Sequence, residues 1–388
     1  NTVYRFLQKA QYIQSKPPYF NEPLTLIMKN IPTFTICLTC VGGRLIYDII
    51  SALRDAEDFN VHLIGIDADE SAQGQLLCDE FVTLPIAESY PDKWLEGIKS
   101  IHNRQPINGI IALSEGESRL VSEQTCLFEQ LGIQLSTSSW DTVQTMTDKW
   151  LMLSKLKDHN IDCGEFLLLT DTQDFRSIAK ELGYPKKKVV FKPRQGRGSR
   201  GVIIADAQIS QYTQLLPNRF CGTGKLDDIE TIMTENDCSM DDYIAMPHYS
   251  GDTSDVDCIA IKGKTINIAA RVRQLKNPLS PTSTGHKVCM NPKVIRYAEI
   301  LCEVFNVDGA GDFDIVIDDA GEAKVLDAAA RFSGSVGVSS IAGMNMMAQL
   351  IRVMMSLPTV EYSIQDNLII RPYITMAPIP EHNEAIRL

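Results

Sequence analysis

Val189-Val190-Phe191-Lys192-Pro193-Arg194-Gln195-Gly196-Arg197-Gly198-Ser199-Arg200-Gly201-Val202-Ile203-Ile204 is the stretch on which the reading of this sequence turns. Its β-branched and aromatic opening predicts a strand that ends near Lys192. A glycine-rich turn follows, and Val202-Ile203-Ile204 resumes the strand pattern. The unit is therefore a hairpin with a glycine-rich tip. A Walker loop needs a following helix and a Gly-Lys-Ser/Thr ending, and both are missing. A glycine-rich hairpin can fold over phosphates, because backbone N–H groups reach oxygens without side chains in the way. Lys192 stands where an ammonium can reach an α- or β-phosphate, and Arg197 and Arg200 add local positive charge.

Further along, Gly309-Ala310-Gly311-Asp312-Phe313-Asp314-Ile315-Val316-Ile317-Asp318 reads as a strand with an inward acid at Asp314. Ala320-Gly321-Glu322 is a turn, and Lys324-Val325-Leu326-Asp327 is the returning strand. Antiparallel pairing can set Asp314 beside Asp327. Two carboxylates in apolar strand context near a phosphate site are a magnesium signature, since magnesium takes hard oxygens and bridges phosphates.

Toward the N-terminus the pattern is α/β. Thr35–Cys40 is a short apolar run, then Gly42-Gly43, then Leu45, Ile46, Ile49, Ile50 and Leu53 at helical spacing. Val61–Ile66 ends at Asp67, and Gly109–Leu113 runs into Ser114-Glu115-Gly116-Glu117. This alternation predicts a parallel sheet with helices on its faces. The glycine pair and the acid ending the next strand hint at a dinucleotide fold, but the full G-x-G-x-x-G is absent. A small α/β domain lending loops to a neighbouring site is the better reading. Helices are expected over Lys149–Lys157 and Asp174–Leu182, the latter stopped by Gly183-Tyr184-Pro185. The expected divisions are an extension over 1–30, an α/β domain over 31–145 and a second domain over 146–388. Within the last, about 186–245 is expected as a subdomain carrying the glycine loop.

The 388 residues include 44% hydrophobic and 22% charged, a globular profile that excludes wholesale disorder. No apolar run is long enough to span a membrane. Lys and Arg number 37 against 49 acids, a net charge of -12, which argues against nucleic acid or an anionic membrane surface as partner. The ten cysteines are scattered through a core-rich chain. They are expected as free thiols in a reducing compartment, and no signal-peptide pattern is seen, so a cytoplasmic location is expected. Cys37-x-x-Cys40 lies in a strand-like run and not at a helix start, so a redox role is not assigned to it.

The ordered set resembles the ATP-grasp superfamily over residues 31 to about 380. The matching pieces are Asp148-Lys149 before a helix, Lys192 to Gly201, the Gly-Ala-Gly-x-Phe-Asp strand and the Asp327-to-Arg331 ending. The nearest flavour is that of carbamoyl-phosphate-synthase-like and biotin-carboxylase-like members, including amino-acid ligases. The resemblance implies an α/β plus α+β fold: a pre-ATP-grasp parallel-sheet domain, then a two-subdomain ATP-grasp fold completed by a strand over Asn367–Met376. It implies ATP as cofactor, with Lys149, Lys192 and the loop Gly196, Gly198, Ser199 and Gly201 on its phosphates. The strand carrying Met246 and His248 would read adenine through its backbone, and the ribose acid would lie near Thr253, flanked by Asp252 and Asp255. Asp314 and Asp327 would hold magnesium, with manganese as an alternative. The family usually has Asn where this chain has Ala329, which offers no oxygen. Arg331 would stabilise the transferring group.

Arg271 and Arg273, two apart on one strand, share a face and are candidates for gripping a substrate carboxylate, with Arg273 assigned to catalysis. Ser333, Gly334, Ser335, Glu115, Glu117 and Arg44 are expected to wall the substrate pocket, and His286 is a further candidate contact. The expected reaction is ATP-dependent ligation of a small carboxylic or amino acid to an amine through an acyl phosphate. The alternatives are a bicarbonate-using carboxylase or carbamoyl-phosphate-type enzyme, a non-catalytic ATP-binding protein motivated by Ala329, and a nicotinamide oxidoreductase built on the N-terminal unit. The resemblance also allows a homodimer.

Overall fold

Among the described residues there are three six-stranded sheets. The computed structural model describes residues 31–196, 200–214, 220–274, 285–372 and 386–387. Residues Thr33–Leu388 cluster as one compact unit. The expected extension over 1–30 lies outside the described residues.

The first sheet contains β1 (Thr33–Thr39), β2 (Asn60–Asp67), β3 (Glu80–Thr83), β4 (Gly109–Ile111) and β5 (Gln134–Leu135), in the order β3-β2-β1-β4-β5. All its pairings are parallel, as the alternating pattern predicts. A parallel sheet buries both faces, and β1 shows how. Ile36 and Leu38 enter one core with Ile49, Ile50 and Leu53, and Cys37 enters the opposite core with Trp94, Ile98 and Phe128. The first of these cores also takes Phe332 and the helix Met346–Met354. The hydrophobic packing therefore crosses the boundary expected near 145.

The second sheet holds β6 (Leu167–Leu169), β7 (Val189–Pro193), β8 (Ile203–Ala205), β9 (Thr213–Gln214), β10 (Gly222–Gly224) and β11 (Tyr243–Pro247), in the order β6-β11-β7-β8-β10-β9. Its own core forms under helices Phe175–Glu181 and Leu226–Glu235. This subdomain begins at β6, earlier than the 186 read from the sequence, because β6 is needed to pair with β11. β7 and β8 are antiparallel, so the glycine-rich stretch is a hairpin.

The third sheet contains β12 (Thr253–Ile261), β13 (Lys264–Arg273), β14 (His286–Val288), β15 (Gly309–Ile317), β16 (Ala323–Ala329) and β17 (Ile369–Ile370), in the order β16-β15-β12-β13-β14-β17. β17 is the part of the expected C-terminal strand that pairs; residues 373–376 of it lie outside the described ones. One face packs on helices Lys149–Asp158 and Pro292–Phe305 through Leu153, Leu156, Leu301, Phe305 and Phe313. The other face carries charge, and the candidate site lies there. A short last strand, β18 (Ile386–Arg387), pairs with β3.

The ten cysteines are all free thiols, as expected, and Cys37 is fully buried in β1. Among the described residues no helix is long and apolar enough to cross a membrane.

Candidate active site

Directly opposite residues of antiparallel strands point to the same face. The register of β13, β12, β15 and β16 therefore lines up Arg271, Asp255, Asp314 and Asp327 in one row across the third sheet. The next row on that face contains Asp257, Asp312 and Ala329. The sequence expectation that Asp314 and Asp327 sit side by side is met by this pairing. Beyond that pair the register slips. Ile315 faces Val325, so Leu326 is an extra residue in β16, a β-bulge.

The bulge has a consequence for Lys192. Its side chain crosses from the second sheet and donates to the Leu326 carbonyl at 2.9 Å. Burial pulls the Lys192 ammonium down to about 8, partly offset by Asp327 and reinforced by Lys149. Lys149 makes the second bridge between the sheets. Its ammonium donates to the Gly196 carbonyl at 3.1 Å and pairs with Asp327 Oδ1 at 3.0 Å. Its helix is capped by Asp148, which accepts from the Trp150 and Leu151 amides. The same carboxylate takes the Arg194 Nε at 2.7 Å, tying the helix start to the end of β7. Lys149, Lys192 and Gly196, widely separated in sequence, thus meet at the β15–β16 hairpin.

Gly201 closes the base of the glycine hairpin with φ of +75°, and a Cβ there would lie 2.7 Å from Pro193 Cγ and 2.8 Å from Tyr243 Oη. Only glycine fits both the angle and the space. Gly198 and Ser199 lie outside the described residues. Met246 is buried in β11, opposite Val190, so its side chain is not offered to a ligand. β6 pairs Tyr243–Ala245, and Met246 to His248 extend past its end. His248 is half-buried, and burial and Lys188 hold its imidazole below the ordinary range.

The arginines behave differently from one another. Arg273 faces the site, pairing with Asp314 at 2.6 Å and with Asp255. Arg271 is 1% exposed. It pairs with Asp257 at 2.7 Å and donates to the Ser333 and Ser335 hydroxyls. Asp257 also accepts from the Ser333 amide at 2.7 Å. The expectation that Arg271 grips a substrate carboxylate is therefore corrected. Its fork organises the 333–335 turn, and the same bonds occupy the hydroxyls of Ser333 and Ser335. Gly334 between them has nothing within 4 Å of where a Cβ would stand, so that position opens on free space. Asp255, considered for a ribose, is buried against Arg273 and is held near 2: burial alone would raise it, but Arg273 and Arg271 outweigh that.

Arg331 donates to Asp312 Oδ2 at 3.0 Å and to the Phe332 carbonyl. Burial works against its charge, but Asp312 and Glu115 more than offset this. Glu115 thereby connects the first sheet's loops to the site. It opens the helix Glu115–Glu123, and two residues on Glu117 accepts from Thr39 Oγ1 at 2.7 Å and Ser114 Oγ at 2.5 Å. Arg44 is exposed. His286 lies opposite Arg273 on β14. Burial, helped by Arg271, lowers its imidazole to about 4, so it is neutral at ordinary pH. Asp67, the acid of the dinucleotide hint, accepts from the Gly42 amide at 2.7 Å and is thereby engaged in the turn itself.

Among the described residues, no three His, Cys, Asp or Glu side chains converge as a ready-made cation cage. Asp314 and Asp327 nevertheless fit a hard cation. They are adjacent, they are oxygen donors, and their present partners, Arg273 and Lys149, are themselves cations. Sequence reading passed over Asp257 and Asp312 and saw Asp255 only as a ribose candidate. The alternation Asp255-Val256-Asp257 within an apolar run was the signal for the β12 acids, and Asp312 stands two residues from Asp314 on the same face.

A family model described as "ATP-grasp in the biosynthetic pathway with Ter operon" matches residues 239–373. An L-arginine-specific L-amino acid ligase from Bacillus subtilis is 26% identical over 207 residues, covering 52% of this chain and 46% of that protein. The chain spans about half or less of the length of the curated relatives it matches. The L-amino acid ligase structure from Bacillus licheniformis aligns with TM-score 0.61 at 14% identity, over 83% of this chain and 74% of that one. The biotin carboxylase domain of the Hydrogenobacter thermophilus 2-oxoglutarate carboxylase, solved with MgADP and bicarbonate, aligns with TM-score 0.62 at 17% identity, over 87% and 72%. Fold and site together place this chain among α/β proteins that set a glycine-rich hairpin against an acidic antiparallel sheet. Residues 239–373 are thus similar to an ATP-grasp family, and the chain shares its fold with the ligase and carboxylase structures above.

Proposed function

We propose that this protein is an ATP-dependent carboxylate–amine ligase, joining a small carboxylic or amino acid to an amine through an acyl phosphate. The observation that carries the reading is the double lysine bridge. Lys149 and Lys192 link the glycine hairpin to the Asp314–Asp327 pair, so cations for a triphosphate and carboxylates for its counter-ion occupy one cleft. The amino-acid ligase among the relatives favours an amine acceptor over bicarbonate.

The substrate carboxylate oxygen attacks the γ-phosphorus, and the bond to ADP breaks. The carbonyl carbon now bears a phosphate leaving group in place of an oxide. The amine attacks that carbon, phosphate departs, and the amine's surplus proton passes to solvent. Lys149 and Lys192 hold the phosphates in line. Arg331 sits where charge builds on the transferring group. Water must be excluded from the site while the acyl phosphate exists, because it would hydrolyse the intermediate. Asp314 and Asp327 would hold magnesium, which supplies charge neutralisation to the triphosphate.

The test is phosphate release from ATP and magnesium across amino acids and small carboxylic acids, singly and paired. Release that requires one acid and one amine supports the ligase. Release with bicarbonate and no other acid overturns it in favour of a carboxylase. No release from any pair, with ATP still raising the melting temperature, overturns it in favour of a non-catalytic nucleotide binder.

A further inference from the structure

The glycine hairpin is fastened outside its own sheet. Residues 194–196, which lead from β7 into the hairpin, run beside residues 148 and 149 at the start of the helix Lys149–Asp158. Asp148 and Gln195 form an antiparallel bridge, and the Lys149 amide donates to the Arg194 carbonyl at 3.0 Å. The Asp148 carboxylate, buried to 1% exposure, closes this seam. Its Oδ1 accepts from the Trp150 and Leu151 amides, and Arg194 Nε donates to both oxygens, at 2.8 and 2.7 Å. One buried charge thus starts the helix that carries Lys149 and grips the strand end that leads to Gly196. The two pieces meet again where the Lys149 ammonium donates to the Gly196 carbonyl at 3.1 Å. A helix cap needs only a neutral oxygen, and Asn caps as well as Asp. The second partner, Arg194, is what calls for a carboxylate, because hydrogen bonds between ionised groups are roughly twice as strong as neutral ones.

We propose that Asp148 and Arg194 are positioning residues for triphosphate binding. Their pair holds Lys149 and the base of the glycine hairpin in one register, so that both meet the same phosphates. Neither touches the nucleotide; they act through Lys149 and Gly196. The inference rests on the reading of Lys149 as a phosphate ligand given above, and the experiment keeps the two apart.

The full chain is titrated with ATP and with adenosine, each with magnesium, by isothermal titration calorimetry. Asp148→Asn keeps an oxygen for the two helix amides but turns an N–H toward Arg194 Nε, so the cap survives and the pair does not. Arg194→Met breaks the pair from the other side. Each is expected to weaken ATP binding about tenfold or more, while adenosine affinity stays within about twofold. The double variant is expected to bind ATP within about twofold of the weaker single one, because the pair is lost only once. Thermal unfolding and circular dichroism establish that each variant is folded. Equal losses for ATP and adenosine would mean a general loosening of the site, and the proposal fails. It also fails if either single variant binds ATP within about twofold of the unaltered protein, or if the two losses add in the double variant. Lys149→Met checks the underlying reading. If that variant binds ATP as the unaltered protein does, or if the unaltered protein binds no ATP, the phosphate-ligand reading itself is overturned.

Discussion

Removing Arg271 should expose how much of this site is built on one buried ion pair. Its partner Asp257 is 0% exposed, and the pair closes at 2.7 Å. Replacement by methionine keeps the side chain's length but strands the carboxylate in the interior. Breaking a buried pair from one side costs about 3–5 kcal/mol. Replacing both partners, as in Arg271→Met with Asp257→Leu, removes the stranded charge. What remains is the Ser333 amide, which loses its acceptor, a cost of about 1–3 kcal/mol. The double variant should therefore be more stable than the single one. The single variant also has a pH signature. Burial already lifts the Asp257 carboxyl above its ordinary value, and loss of Arg271 removes the charge that opposes this. The folded state then takes up a proton first, so the deficit shrinks as pH falls toward the unfolded value of about 4. Urea unfolding at pH 5 and pH 8 reads all three effects. A single variant that loses less than about 1 kcal/mol, or a double variant no more stable than the single, would refute the reasoning.

Other outcomes follow from the same geometry. Gly201→Ala forces a left-handed backbone angle on alanine and drives its methyl into Pro193 and Tyr243. A loss of about 1–3 kcal/mol in thermal stability is expected, with weaker ATP binding by calorimetry. Lys192 has its ammonium lowered to about 8, so its charge is present below that pH and lost above it. ATP affinity should accordingly fall between pH 7 and pH 9, and Lys192→Met should flatten that dependence while weakening binding at pH 7. A pH profile equally steep in the variant would assign the titration to another group. Arg331→Lys keeps a charge but loses the planar fork; phosphate release should drop about 10²–10³-fold, with ATP affinity little changed.

Much of this arrangement is legible from residue order, because local rules suffice for it. The β-branched run before Lys192, the glycine spacing and the turn at Ala320-Gly321-Glu322 each specify a hairpin by themselves. Period-two alternation along β15 and β16 then puts Asp314 and Asp327 on one face. Helical spacing from Leu45 to Leu53 marks a buried helix face, and Ile46, Ile49, Ile50 and Leu53 are buried there.

The roles of the arginines were not legible. Arg271 and Arg273 have the same residue type, strand and face, yet one is 1% exposed and the other 30%. Which of them remains open to a ligand depends on the Ser333–Ser335 turn and on Asp257, both distant in sequence. The same holds for Lys149 and Lys192. Their charges are written in the sequence, but their meeting requires two sheets to pack so that the Leu326 bulge lies under one lysine and Asp327 beside the other. Asp312 shows the division most clearly. Sequence alone identifies an acid two residues before Asp314 and an alanine two residues after Asp327. Only the antiparallel register sets the two opposite each other, because cross-strand pairing is settled by the whole sheet and not by either strand.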